Sequence, residues 1–499
     1  MENNILAKRI IKFIKTKKSL FWEKERQSRM LKLFHECARR VPAYKHFLKK
    51  NHISVSKIKA FGDLEMVPPI DKNNYLKNYP LKDLCWDGTL KKPLTLTATS
   101  GSTGESFYFP RSQALDWQSS IIHEIFLENG FRKTGGPTLV IICFGMGVWI
   151  GGLITYEAFN IAINRGEYPV SILTPGINKP EIFKALRLAA ENFSQTILVG
   201  YPPFIKDVID EAGELGINLR RLHLRVLFAA EAFTESFRNY VAGQAAIQNP
   251  YLDTSNIYGT ADLGTMAYET PTSILTRRLA DQNQKIWRDI FSSIGKMPTL
   301  TQYNPFFVNF EAPRGNILIT GDNAIPLVRY AVGDRGGVLS FSELADIFKA
   351  NGKNLMKEAK KLDLEKYLSE LPFVYVYERA DLSATLYGIN IPIQPIREAL
   401  LWRDLSKYLT GKFVLMTKFD KNQNQYLEIN LELRQGKKPN QILKEKTLLT
   451  ITRKLAKASS EFHELSNHLG KRVLPKLVFF EHEHHLYFKP GIKQKWIKK

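Results

Sequence analysis

Cysteine is scarce in this 499-residue chain, and no long apolar segment runs uninterrupted. Its cysteines, Cys37, Cys85 and Cys143, are too few and odd in number for a disulfide framework or a cysteine-based metal site. The one candidate for a membrane span, residues 139–156, is interrupted by four glycines. Its pattern predicts a buried strand, a loop and an apolar helix instead. The first ten residues lack the apolar core of a secretory signal. These absences predict a cytoplasmic protein with reduced thiols.

Three familiar catalytic signatures are also absent. The chain has no Gly-x4-Gly-Lys-Ser/Thr phosphate loop, no Gly-x-Ser-x-Gly nucleophile elbow and no Gly-x-Gly-x-x-Gly pattern after a strand. Their absence argues against a P-loop nucleotide hydrolase, a serine hydrolase of the α/β type and a dinucleotide-binding enzyme.

Positive charge is abundant and unevenly placed. The formal net charge is +22, with 15 basic and 4 acidic residues among the first 50 and a second basic stretch over residues 471–499. This pattern indicates local attraction for an anionic partner or a solvated basic surface, and the lack of a recognition motif disfavours nucleic acid. Ile10, Phe13 and Ile14 recur at helical spacing among lysines, so this helix either docks on the protein, which we favour, or lies on an anionic membrane.

The hydrophobic content of 44% and the length allow a large core and more than one domain. Apolar runs alternate with helical patterns through the first two thirds of the chain, which is typical of an α/β sheet covered by helices. The order of predicted helices and strands changes near residue 378. We therefore predict a large multi-layer α/β domain over residues 1–377, with a helical region over residues 1–90, and a small α+β domain over residues 378–499.

Several elements are specific enough to be tested. They are short strands at residues 316–320 and 336–340, a helical insertion at 343–371, a hairpin of residues 412–419 and 425–433, one long helix over 439–469 and a strand at 477–480.

The segment with the most chemical information is Leu96-Thr-Ala-Thr-Ser-Gly-Ser-Thr-Gly-Glu-Ser106. Glycines let a backbone approach an anion closely, and hydroxyl groups donate hydrogen bonds to phosphate oxygens. The candidate phosphate-binding residues are Thr99, Ser100, Gly101, Ser102, Thr103 and Gly104. Taken alone, such a segment is more often a plain turn than a phosphate site.

Four further motifs follow in a fixed order. They are Tyr258-Gly-Thr-Ala-Asp262, Arg329-Tyr-Ala-Val-Gly-Asp334, Glu378-Arg-Ala-Asp381 and Gly491-Ile-Lys493. Together with the hydroxyl-rich segment they resemble the motifs of the adenylate-forming (AMP-binding) superfamily, over nearly the whole chain. Residues 41–44, 67–72 and 144–152 further resemble phenylacetate-CoA ligases and their capsule-biosynthesis-type relatives.

The resemblance implies a two-step reaction. A carboxylate attacks the α-phosphate of Mg²⁺-ATP to form an acyl-adenylate and pyrophosphate, and a thiol, most often coenzyme A, then takes the acyl group and releases AMP. The motifs imply nucleotide contacts from Ala230, Glu231, Tyr258, Gly259, Thr260 and Asp334, with Tyr258 on adenine, Asp334 on the ribose hydroxyls and Asp262 on magnesium.

The C-terminal domain is implied to be mobile and to bring a cation to the reaction. The resemblance assigns Lys493 to the substrate carboxylate, Arg379 to a ribose or phosphate contact and Asp381 to the hinge. Lys489 and Lys495 remain alternatives for the terminal lysine.

The motif residues, the acyl acceptor and the activity each allow a second interpretation. Tyr258 also fits a core aromatic, Asp262 a helix N-cap and Asp334 a turn or cap residue. Ala261 stands where the family has Ser or Thr, so either Thr260 substitutes or adenylation is slower. An amine or a carrier-protein thiol is an alternative acceptor, and a non-catalytic nucleotide- or surface-binding relative is an alternative protein. The apolar acid pocket is expected at Phe144, Trp149, Tyr201 and Phe204.

Overall fold

The computed structural model describes residues 2–92, 94–98, 107–147, 150–291, 298–377, 383–400, 402, 404–488 and 497. The α-helices are α1 (Glu2–Thr16), α2 (Ser19–Arg40), α3 (Pro42–Lys50), α4 (Leu81–Leu84), α5 (Gln113–Thr134), α6 (Ile150–Gly166), α7 (Lys179–Asn192), α8 (Pro202–Glu214), α9 (Glu235–Gln244), α10 (Pro250–Asp253), α11 (Pro271–Asp281), α12 (Gln284–Ile290), α13 (Phe341–Ala350), α14 (Leu355–Lys360), α15 (Ile393–Leu400), α16 (Gln441–Ala458) and α17 (Ser460–Leu469). The strands are β1 (Thr95–Ala98), β2 (Tyr108–Arg111), β3 (Thr138–Cys143), β4 (Val170–Leu173), β5 (Gln195–Gly200), β6 (Leu224–Ala229), β7 (Thr254–Thr260), β8 (Gly264–Tyr268), β9 (Thr299–Tyr303), β10 (Val308–Glu311), β11 (Asn316–Gly321), β12 (Leu327–Leu339), β13 (Phe373–Tyr377), β14 (Ser383–Leu386), β15 (Ile389–Pro392), β16 (Leu409–Phe419), β17 (Gln425–Leu433) and β18 (Lys476–Phe480).

One mixed sheet of 11 strands forms the centre of the fold, in the order β10-β11-β12-β13-β9-β8-β7-β6-β5-β3-β4. The strands from β4 to β7 pair in parallel, and those from β7 to β10 pair in antiparallel fashion. Every residue of β3 and β5 is buried, because helices cover both faces of the parallel half. The predicted α/β class is confirmed.

The N-terminal helix α1 docks on the protein through its apolar face. Ala7, Ile10, Ile11 and Ile14 are buried in one cluster with Trp22, Ile121 and Leu371. At the following turn, Lys18 Nζ lies 2.8 Å from a carboxylate oxygen of Glu370. The favoured docking of this segment on the protein therefore agrees with the structure. Within the described ranges, no helix is long and apolar enough to cross a membrane.

The C-terminal segment carries two small sheets, β14-β15 and β16-β17-β18, with helices α15 to α17 beside them. The predicted hairpin of residues 412–419 and 425–433 is present as β16 and β17, and β18 adds to β17 in parallel. Its apolar residues share one core with those of β3, β5, α7, α8 and α9. In this structure, the shared core packs the C-terminal segment against the helices that cover the sheet.

One element prediction is wrong, and another is correct in position but too short. The single helix over residues 439–469 is two helices, because Ser459 is extended and its Oγ accepts a hydrogen bond of 3.1 Å from Phe462 N to cap α17. The short strand at 336–340 is the second half of the 13-residue strand β12. Gly336 and Gly337 continue that strand, since they pair with Val376 and Tyr375 and a Cβ at Gly336 would overlap the Tyr375 carbonyl.

Candidate functional site

The Tyr258-Gly-Thr-Ala-Asp262 motif spans the end of β7 and enters the turn that leads to β8. Gly259 packs so closely that a Cβ there would lie 2.6 Å from the Gly264 carbonyl oxygen, and Gly264 itself has a φ of +64°. The hairpin therefore needs glycine at both positions. Since Asp262 lies in this turn and no helix begins there, its interpretation as a helix N-cap is wrong.

Two side-chain contacts join this motif to the Arg329-Tyr-Ala-Val-Gly-Asp334 motif on β12. Tyr258 Oη donates a hydrogen bond of 2.5 Å to Asp334 Oδ2. Tyr330 Oη donates to Asp262 Oδ1 across 3.3 Å. The contacting residues are 76 and 68 positions apart in sequence, so the two motifs come together only in the folded chain. Asp334 lies within a strand, so its interpretation as a turn or cap residue is wrong.

Burial differs between the two carboxylates. Asp262 is 4% exposed, whereas Asp334 is half-buried and lies on the rim of an open groove of about 1200 Å³. The Tyr258 ring is also half-buried and lies 6.1 Å from the Phe310 ring at 32°. Tyr258 is thus a partly accessible aromatic rather than a fully buried core residue.

Arg329, the first residue of the β12 motif, joins β12 to β10 and to residues 64–67. Its φ is +53°, and its Nη1 donates to the carbonyls of Leu64 and Val67 while its Nε donates to Glu311 Oε1 at 3.1 Å. The adjoining segment adds a backbone bridge, because Ala331 N donates to the Ile70 carbonyl at 2.8 Å. The segment of residues 67–72 is therefore held against β12 beside the site.

The Ala230 and Glu231 segment follows β6 and lies next to β7. Ala230 has a φ of +76°, a region that favours glycine. The Glu231 carbonyl accepts a hydrogen bond of 3.0 Å from Asn256 Nδ2. The Glu231 carboxylate points toward the C-terminal segment, where it accepts from Gln425 Nε2 at 2.9 Å and from Gly388 N.

A buried cluster of opposite charges supports the loop after Glu231. Arg238 Nη2 lies 2.8 Å from each carboxylate oxygen of Glu269, and Arg277 contacts the same carboxylate. Arg277 also donates to the Phe233 carbonyl. Burial opposes ionisation of Glu235, yet the neighbouring arginines, Arg238 first, outweigh it and lower the pKa of this carboxyl to about 2. Through the bond from Arg277 to the Phe233 carbonyl, the cluster holds the backbone of this loop.

The hydroxyl of Thr260, considered as a substitute for the missing serine or threonine at Ala261, is engaged within the turn. Its Oγ1 accepts from Leu263 N at 3.4 Å and lies 3.8 Å from Met266 Sδ.

Of the two motif carboxylates, Asp262 is the one that the resemblance assigns to a cation, and Asp334 is assigned to the ribose. Among the described residues, no group of three or more His, Cys, Asp or Glu side chains could hold a metal ion. Magnesium commonly takes one or two carboxylates and completes its octahedron with water and substrate phosphates, so one aspartate fits it when a nucleotide supplies the remaining oxygens.

Two residues expected in the acid pocket, Phe144 and Tyr201, meet edge to face with ring centroids 4.8 Å apart. Phe144 and Phe204 are buried, and Tyr201 packs against the core cluster that contains Phe204. The acid pocket itself stays a prediction. The other predicted site residues lie outside the described ranges: Thr99, Ser100, Gly101, Ser102, Thr103, Gly104, Trp149, Arg379, Asp381 and Lys493. They stay predictions.

Among solved structures, this chain is similar to 2-hydroxyisobutyryl-CoA ligase in three conformations. The complex with 2-HIB-AMP and CoA in the thioesterification state aligns with 96% of this chain and 89% of that chain, at 13% identity and a TM-score of 0.60. The open conformation covers 95% and 90%, and the postadenylation state 95% and 87%, each at 13% identity and a TM-score of 0.50. No protein-family model and no curated protein matches the sequence. The structural likeness shows the fold, and it agrees with the resemblance that the motifs carry.

Proposed function

We propose that this chain, which has the fold of the AMP-forming acyl-CoA ligases, activates a carboxylic acid with ATP and transfers the acyl group to a thiol. The observation that carries the proposal is the pair of contacts Tyr258–Asp334 and Tyr330–Asp262. They bring a partly accessible aromatic ring and two carboxylates into one place, which is the chemistry that a base, a ribose and a magnesium ion need.

In the first step, a substrate carboxylate oxygen forms a bond to the α-phosphorus, and the bond to the bridging oxygen breaks to release pyrophosphate. Asp334 would accept hydrogen bonds from the ribose hydroxyls, and the Tyr258 ring would pack on adenine. Asp262 would hold magnesium, which supplies charge neutralisation for the phosphates. The Thr99–Gly104 segment would donate to the outer phosphates.

In the second step, a thiol sulfur forms a bond to the acyl carbon, the carbon–oxygen bond to AMP breaks, and the thiol proton leaves to solvent. We place this step in a second pose of the C-terminal domain, residues 378–499, with Asp381 as the hinge. The TM-score is 0.60 with the thioesterification state of 2-hydroxyisobutyryl-CoA ligase and 0.50 with its postadenylation state. This difference supports assigning the pose in this structure to thioester formation. Coenzyme A is the proposed acceptor, and an aromatic or apolar acid of the phenylacetate type the proposed substrate class, given Phe144 and Tyr201.

A carboxylic-acid panel tests this function. We expect one acid to drive exchange of pyrophosphate into ATP, and CoA to drive AMP release from the same mixture. Release of AMP with an amine or a carrier protein, and not with CoA, would reassign the acceptor. A chain that binds ATP but shows no exchange with any acid would be a non-catalytic nucleotide-binding relative.

Replacing Asp334 with alanine should weaken ATP binding by about 1.5–3 kcal/mol, the range for hydrogen bonds to a charged acceptor. Calorimetric titration of Mg²⁺-ATP measures this. Asp346→Ala, on the exposed face of α13, serves as the control. Equal affinities of the two variants would remove Asp334 from the nucleotide site.

We further propose a peripheral contact of α1 with anionic membranes from a cytoplasmic location. Ile5 and Leu6 are 65% and 45% exposed, beside the exposed cations Lys8, Arg9 and Lys12. Changing these three cations to glutamate should abolish sedimentation with phosphatidylserine vesicles at low salt, since the attraction is electrostatic. Lys357 and Lys360 on α14, changed to glutamate, form the control pair. If neither set of substitutions changes vesicle binding, Lys8, Arg9 and Lys12 are solvated surface residues.

A further inference from the structure

The carboxylate of Asp207 on α8 meets two side chains of the C-terminal segment. Asp207 is 1% exposed. Arg472 donates to it twice, from Nη2 to Oδ1 at 2.6 Å and from Nε to Oδ2 at 3.2 Å. Tyr387 Oη donates to Oδ2 at 3.0 Å. These contacts form a forked, charge-assisted pair with a third hydrogen bond added.

The turn that carries Tyr387 also reaches the candidate site. Tyr387 and Gly388 connect β14 to β15, with φ values of +48° and +81°. Gly388 N donates to Glu231 Oε1, while Tyr387 N donates to Gln425 Oε1 at 2.6 Å. A Cβ on Gly388 would overlap the Tyr201 ring, so the turn lies directly on that aromatic side chain. One turn therefore touches Asp207 with its side chain and Glu231 with its backbone.

Movement of the C-terminal segment, which carries both Arg472 and Tyr387, would remove the main partners of Asp207. Within its own helix, the nearest cation is Lys206, whose Nζ is 3.9 Å from Asp207 Oδ1 but 2.6 Å from Asp210 Oδ2. If Arg472 and Tyr387 moved away, a buried carboxylate would lose its strongest hydrogen bonds. The contacts therefore favour the pose in which the turn rests on Glu231.

We propose that Asp207 is a positioning residue for the thioester-forming step: by holding Arg472 and Tyr387, it keeps the Tyr387–Gly388 turn on Glu231 and Tyr201. The inference rests on the proposed function, in which the C-terminal domain alternates between two poses. Asp207 acts through the turn and does not touch the reacting atoms. The adenylating step, which uses the other pose, does not depend on this carboxylate.

The variant Asp207→Asn separates the two steps. We expect thioester formation from supplied acyl-adenylate and CoA to fall about tenfold, because one forked charged pair is lost. Pyrophosphate exchange should stay within about twofold of the parent or rise. Hydrogen exchange of peptides covering residues 383–392 and 470–475 should accelerate. Tyr387→Phe should give a smaller change in the same direction, and Arg472→Lys, which keeps the charge, should retain more activity than Arg472→Gln.

Glu211→Gln is the matched control, because Glu211 lies on the same helix and pairs with Lys179, outside the C-terminal segment. Equal losses in both half-reactions of Asp207→Asn would mean a merely structural role and would overturn the inference. Unchanged hydrogen exchange with normal thioester formation would overturn it as well. If the parent protein performs neither half-reaction, the proposed function fails instead, and this assignment of Asp207 fails with it.

Discussion

Lys493→Ala should slow pyrophosphate exchange by about 100-fold or more, the scale for removing one preorganised cation from a reaction that gathers negative charge. In the proposed mechanism this lysine neutralises the substrate carboxylate and the bridging oxygen during adenylation. Thioester formation from a supplied acyl-adenylate should persist, because that step occurs in the other pose. Steady-state exchange and single-turnover thioester assays measure the two effects separately.

Lys489→Ala and Lys495→Ala are the controls for this prediction, since both lysines lie within a few residues of Lys493. Normal exchange in Lys493→Ala together with a loss in one of them would move the role to that lysine. Asp381→Pro should show the complementary behaviour of a hinge, sparing one half-reaction and abolishing the other, because proline fixes φ near −65°. Normal rates in all four variants would contradict the alternating C-terminal domain.

Glu269→Gln should destabilise the protein by about 3 kcal/mol or more, which is typical of breaking a buried ion pair. Its carboxylate is fully buried between Arg238 and Arg277, so the change leaves two buried guanidinium groups with less compensation. The shift of the urea unfolding midpoint measures the loss. Glu358→Gln, at an exposed pair with Lys361, should cost less than about 1 kcal/mol.

Acid should weaken the same cluster. The pKa of Glu235 is about 2 in the folded protein against an ordinary value of 4.5. A carboxyl whose pKa is lowered by folding contributes stability above pH 4.5, and that contribution is lost as the pH falls toward 2. Glu269→Gln should not move this loss to higher pH, because it removes a negative charge that shares Arg238 and Arg277 with Glu235. Equal midpoints for the parent and Glu269→Gln variant at neutral pH would show that the cluster is not coupled to unfolding.

Local patterns were sufficient for the parts of the fold that depend on neighbouring residues. The hairpin of β16 and β17 follows from two alternating runs around residues 420–424, and the strand β3 from an uninterrupted apolar run. The helix break at Ser459 escaped prediction because its neighbours are helix formers and the capping bond depends on one hydroxyl. The continuous strand β12 escaped because glycines in a strand also predict turns.

The candidate site also has residues that the sequence identified and residues that only the structure revealed. Motif order identified Tyr258, Asp262 and Asp334, which the structure brings together through Tyr258–Asp334 and Tyr330–Asp262. The structural roles of Arg329 and Asp207 could not be predicted locally, because Arg329 contacts Leu64 and Asp207 contacts Arg472, each 265 residues away in sequence. Only long-range contacts explain why an arginine within a strand has a positive φ, or why an aspartate in an amphipathic helix is buried.

The docking of α1 has a consequence for how the chain is made. Its apolar face is completed by Ile121 on α5 and by Leu371, which a ribosome adds long after Ile14. At about 5–20 residues per second, roughly 20–70 s separate the two events. During that interval a basic helix with an open apolar stripe is exposed on the nascent chain. Molecular chaperones that bind such stripes would therefore meet this protein first at its N-terminus, and a slowly translating host would lengthen the encounter.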